Sequence, residues 1–207
     1  MQKPENSTII NVCIIPPEDV ARQCVQISQS LKSDNKMFVL DGKDAFAHMT
    51  VFMARFPESE IANVISATQK VLSDIKSFSC KHTGYFLTQG RYLEVSYHKS
   101  AEFLNLHELL IKGLKVYRIN PGDPFEEGYF APYTPEQQKN AKETGYDLAY
   151  NLYCPHVTLT RYKEGQVPDV FPAFNHARLS FQLSKVAVYK ANDNGAVYEE
   201  LAKFSVG

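Results

Sequence analysis

The 207-residue sequence predicts an α+β fold built as two similar lobes, and three observations carry the prediction. Short β-rich stretches alternate with single amphipathic helices, and that alternation runs through the chain roughly twice. Two matching patterns, His48-Met49-Thr50 and His156-Val157-Thr158, stand 108 residues apart, about half the chain. The composition, 44% hydrophobic and 22% charged, suits one globular domain with a real core. The expected organisation is a single unit over 1–207, with 118–150 as an excursion from it.

Taken in order, "STIINVCII" is β-branched and stops at Pro16-Pro17, where ladder donors are missing, so it reads as a strand. "PEDVARQCVQISQSLK" places Val20, Cys24, Ile27 and Leu31 on one helical face, with Pro17 in the first turn. A short strand at "MFVLD", a turn at Asp41-Gly42 and a strand through "AFAHMTVFMARF" follow. "PESEIANVISATQKVLSDIK" is a second helix, with Ile61, Val64, Ile65, Thr68, Leu72 and Ile75 on one side. "GYFLTQGRYLEVSYH" reads as a hairpin turning at Gln89-Gly90. A third helix starts after Ser100, with Phe103, His107, Leu110 and Leu114 as its stripe.

From Arg118 to Tyr150 turn formers and aromatics dominate, although Thr134-Pro135 with Gln137 resembles a helix start. The chain closes with "RLSFQLSKVAVYK", a turn at "NDNG" and "AVYEELAKFSV", a terminal antiparallel pair.

The formal net charge of -1 argues against an extended nucleic-acid surface, which needs excess Lys and Arg. Four scattered cysteines, Cys13, Cys24, Cys80 and Cys154, form no metal-ligand spacing and read as reduced thiols. No apolar run approaches a membrane span and no secretory pattern opens the sequence, so a cytoplasmic protein is expected.

A bare His-x-Ser/Thr triplet is cheap: six histidines and 23 serines and threonines give roughly 0.7 by chance, and the chain has three. In His98-Lys99-Ser100 the serine is better read as a helix N-cap. The other two differ in setting, because Met49, Val51, Val157 and Leu159 alternate with the polar residues and send His and Thr to the opposite face. His107 reads as a core-edge residue, and His82, His98 and His176 lack a polar partner at strand spacing. Two imidazoles facing one phosphorus can serve as general base and general acid without a metal. Each hydroxyl, two residues along, can donate to a phosphate oxygen.

With "HMTV" at 48–51 and "HVTL" at 156–159, the sequence resembles the two-histidine (2H) phosphoesterase superfamily. "PHVTLTR" is most similar to its branch of 2'-5' RNA ligase-like proteins and cyclic phosphodiesterases. The resemblance implies a bilobal fold with pseudo-twofold symmetry, antiparallel sheets, helices packed outside and a central cleft. It implies catalysis by His48 and His156, with either one as acid, phosphate contacts from Thr50 and Thr158, and no metal or cofactor.

Arg161 and Tyr153 are further candidates for the substrate. Arg161 has the wrong strand parity unless the strand bulges, and Tyr153, Tyr162, Phe130 and Tyr133 are aromatics that could stack a base. The expected substrate is a 2',3'-cyclic nucleotide or RNA end, and the expected state a monomer away from membranes. A 2'-5' phosphodiesterase, a 2'-5' RNA ligase-like activity and a noncatalytic nucleotide-binding module are the alternatives.

Overall fold

In a computed structural model, residues 6–31, 34–119, 133–163, 178–192 and 195–207 are described. In chain order the first half contains β1 (Ser7–Ile14), α1 (Glu18–Ser30), β2 (Met49–Pro57), α2 (Ile61–Leu72), β3 (Ser79–Cys80), β4 (His82–Leu87) and β5 (Tyr92–Tyr97). Then come α3 (Ala101–Leu114), α4 (Pro135–Thr144), β6 (His156–Arg161), β7 (Phe181–Gln182), β8 (Lys185–Ala191) and β9 (Val197–Ser205).

The β-branched run of β1 pairs on both edges, at the inside of an antiparallel sheet ordered β2-β1-β8-β9. The hairpin of β4 and β5 adds β6 to form a second antiparallel sheet, β4-β5-β6. A short β3-β7 pair stands beside them. The helices cross over: α1 follows β1 yet packs on β6, while α3 follows β5 yet packs on β2 and α2. One continuous core therefore joins both sheets, from Ile10, Val12 and Phe52 to Val95, Val157 and Leu159.

Most expected elements form where the periodicity places them. Val20, Cys24, Ile27 and Leu31 are buried along α1, and Phe103, His107, Leu110 and Leu114 along α3. Ser100 caps α3 by accepting from the Phe103 N–H. Thr134 and Gln137 form a reciprocal capping box at α4. That helix ends at Gly145, whose φ is +83° and where a Cβ would meet the Ala54 Cβ at 2.8 Å. Only glycine lets the chain turn that close to β2.

The strand expected at "MFVLD" does not form. Met37 N–H bonds to the Arg161 carbonyl, but the Phe38 carbonyl takes the Thr160 hydroxyl and the Leu40 N–H goes to Ser28 Oγ. Side chains there replace a ladder. Phe130 and His176 lie outside the described residues.

Candidate active site

Strands β2 and β6 each form an edge of their sheet, and their backbones approach within 8 Å, Cα to Cα. His48 immediately precedes β2 and His156 opens β6, so corresponding ends of the two edge strands carry the two imidazoles. The local geometry repeats. His48 Nδ1 donates to the Phe46 carbonyl at 3.1 Å, and His156 Nδ1 donates to the Cys154 carbonyl at 2.8 Å, each two residues back. Because a carbonyl can only accept, each ring carries a hydrogen on Nδ1.

The strands also repeat an irregularity. Thr50 faces Cys13 and Phe52 faces Val12, which leaves Val51 as an extra residue. Thr158 faces Glu94 and Thr160 faces Leu93, which leaves Leu159 as an extra residue. Each motif threonine is thus followed at once by a bulge, and the side-chain parity changes there. Val51-Phe52 and Leu159-Thr160 are consecutive buried pairs, whereas Met53 and Arg161 return to the face shared with the motif threonines.

The second bulge resolves the parity of Arg161. Across from it on β5 is Tyr92, and the guanidinium lies 4.7 Å from that ring's centroid while Nε donates to the Gly90 carbonyl. His156, Thr158 and Arg161 share one face with Ser96, Glu94 and Tyr92. Glu94 Oε1 is 3.6 Å from His156 Nε2, with both side chains largely covered. Burial pushes the Glu94 carboxyl above its usual range, and the positive charge of His156 opposes that rise.

On the other lobe Thr50 Oγ accepts a 2.9 Å hydrogen bond from Asn11 Nδ2, leaving the threonine's own hydrogen free to donate. Asn11 is completely buried. Burial lowers the pKa of His48; hydrogen bonds with the Phe46 and Gly195 backbone oppose the shift and the charge of His156 adds to it. The charge of His156 is therefore felt at His48.

Two expected stacking residues are corrected. Tyr153 and Tyr162 are both fully buried and offer no face to a ligand. The Tyr153 hydroxyl donates instead to the Thr50 carbonyl at 3.3 Å. Tyr133 is half-buried beside α4, where its carbonyl accepts from Gln138. Asn11 and Glu94 were missed in the sequence, where each shows only as one polar residue inside an apolar strand, "INV" and "LEV".

His107 also proves different from a core-edge residue. It is fully buried and bonded at both ring nitrogens, to the Val51 carbonyl and the Tyr150 N–H. Cys13, Cys24 and Cys80 are buried free thiols, and Cys154 is an exposed one. Among the described residues no cluster of three or more His, Cys, Asp or Glu side chains could hold a metal, and no helix is long and apolar enough to cross a membrane.

A family model described as the 2'-5' RNA ligase superfamily matches residues 16–195. Solved structures share the fold at low identity. E. coli LigT complexed with NADP+ superposes with a TM-score of 0.62 at 13% identity, covering 97% of this chain and 98% of that one. A crystal structure of a phosphoesterase gives 0.61 at 14%, covering 96% and 98%. E. coli LigT complexed with 3'-AMP gives 0.60 at 13%, covering 98% and 99%. A comparison with curated proteins finds no match.

Proposed function

The chain belongs to the 2'-5' RNA ligase superfamily of 2H phosphoesterases, and on that premise we propose that it hydrolyses a 2',3'-cyclic phosphodiester at a nucleotide or RNA end. The observation that carries this reading is the repeated unit: a histidine with Nδ1 tied to its own backbone, then a threonine, then a bulge. Two such units on adjoining edge strands supply two proton carriers and two hydroxyl donors to one small anion.

One neutral imidazole takes a proton from water, which attacks phosphorus in line. The other ring, protonated, gives its proton to the departing ribose oxygen. The hydroxyls of Thr50 and Thr158 donate to the nonbridging oxygens as negative charge builds on them. No step calls for a metal or cofactor, and the whole chain acts as one two-lobed unit. Arg161 adds a fixed positive charge on the same face as Thr158, held at one side by Gly90 and Tyr92. The nucleotide complexes of E. coli LigT support a nucleotide as the ligand class.

The test sets 2',3'-cyclic AMP, 2'-5' oligoadenylate and a short RNA with a cyclic 3' end beside one another. The cyclic substrates are expected to turn over, with H48A and H156A each about 10²-fold or more slower. Undiminished turnover in the H48A/H156A double variant sinks the two-histidine mechanism. Preference for oligoadenylate would move the reading to a 2'-5' phosphodiesterase.

A further inference from the structure

The β4-β5-β6 sheet carries the face of the second motif outward, strand by strand. Register places Phe86 beside Glu94 and Glu94 beside Thr158, so these three share one face. The next row on that face is Gly84, Ser96 and His156. Residues of the other parity, Tyr85, Leu87, Leu93 and Val95, pack into the core. Phe86 is 58% exposed, on a strand that forms the sheet's outer edge.

A bare phenylalanine on an edge strand is a liability, because it adds apolar surface beside unpaired backbone groups. Its neighbours leave the ring open to a ligand. Glu94 is largely covered, and the Tyr92 ring already carries the Arg161 guanidinium, 4.7 Å from its centroid. Gly84, two residues before Phe86, has φ +148° and open space where a Cβ would stand. The row beside Phe86 thus steps down from histidine to serine to glycine, and a shallow trough leads from His156 along one side of the ring.

We propose that Phe86 is the base platform of this site, stacking the nucleobase of the nucleotide whose phosphate is held by Thr158. The proposal rests on the nucleotide phosphodiesterase reading above and adds the residue that recognises the base. Two strand spacings, about 10 Å, separate Thr158 from Phe86. One ribose bridges that span with its phosphate on the threonine and its base on the ring. A phenyl face stacks any base, so the platform selects for the presence of a base and not for its identity. A formal net charge of -1, with one open ring on this face among the described residues, suits a terminal nucleotide better than a long strand.

The chain has no tryptophan, so F86W sets a lone indole at the platform. Saturating 3'-AMP should quench its emission, and inorganic phosphate should not. In calorimetry F86A should bind 3'-AMP about tenfold or more weakly than the wild type, whereas F86Y keeps most of the affinity. Equal affinity of F86A and the wild type, or an unquenched F86W, overturns the proposal.

Kinetics with and without a base supply the second arm. The wild-type preference in kcat/KM for 2',3'-cyclic AMP over the baseless 2',3'-cyclic phosphate of methyl riboside should shrink about tenfold in F86A. A preference that F86A leaves unchanged removes the platform. If the wild type cleaves neither substrate, it is the hydrolase reading that fails, while the 3'-AMP titration still decides the role of Phe86. If the ring instead serves a second copy of this chain, the wild type sediments as a dimer and F86A as a monomer with equal 3'-AMP affinity, and the proposal falls.

Discussion

The imidazole of His107 lies flat on the ring of Tyr153, with centroids 4.1 Å apart and planes 7° from parallel. This stack joins α3 to the segment just before β6, and both rings reach β2. His107 Nδ1 donates to the Val51 carbonyl at 2.6 Å and its Nε2 accepts from the Tyr150 N–H at 3.0 Å, while the Tyr153 hydroxyl reaches the Thr50 carbonyl. Two carbonyls of β2, at the first motif, are thereby tied to the segment that leads into the second. Both rings are fully buried, and through these bonds they tie the two motif segments together.

Replacing His107 by Leu should leave the Val51 carbonyl and the Tyr150 N–H without partners in the core, costing about 2–4 kcal/mol in urea unfolding. The wild type should also carry a pH signature. Burial pushes the His107 pKa down from 6.5 to about 4. Between those values the unfolded chain binds a proton that the folded chain refuses. Stability is therefore full above pH 6.5 and falls as the pH drops towards 4, by up to ~3 kcal/mol. H107L should lack that part of the slope.

Tyr153→Phe removes one hydroxyl and its 3.3 Å bond to the Thr50 carbonyl. A stability loss of about 1 kcal/mol is expected, with KM for a cyclic nucleotide unchanged because the ring is fully buried. A large rise in KM with stability intact would instead restore Tyr153 to the substrate site.

Asn11→Ala tests the orientation of Thr50. Without the Nδ2–H donor, the Thr50 hydroxyl loses the one contact that fixes its oxygen and is free to rotate. The expected result is a loss in kcat of about tenfold, close to that of Thr50→Val and not additive with it. Additive losses would mean that Asn11 acts elsewhere.

Arg161→Lys should behave much like Arg161→Met. The planar guanidinium stacks on Tyr92 and bonds Gly90 through Nε, and a lysine ammonium reproduces neither contact. Both variants are expected to raise KM about tenfold with a smaller change in kcat, measured on a cyclic nucleotide at fixed salt. Full retention of KM by Arg161→Lys would show that charge alone matters.

Much of the fold was legible because period and capping are local. The β-branched run "STIINVCII" ending at Pro16-Pro17 and the spacing of Val20, Cys24 and Ile27 mark β1 and α1 without reference to the rest of the chain. The capping box at Thr134 and Gln137 announced α4 in the same way. "MFVLD" failed because its apolar pattern was real but its hydrogen bonds go to side chains of α1 and β6. Tyr153 failed because an aromatic next to a motif looks the same in sequence whether it faces a ligand or the core.

By itself, the sequence determined that two strands would each set a histidine and a threonine on one face, since alternation with Met49, Val51, Val157 and Leu159 demands it. Tertiary structure alone decided what each pair meets. Register across to β5 brought Glu94 beside His156, register across to β1 brought Cys13 beside Thr50, and a bulge turned Arg161 back to the motif face. Those outcomes depend on pairing between residues tens of positions apart, and a one-residue shift in register would send each side chain to the opposite face.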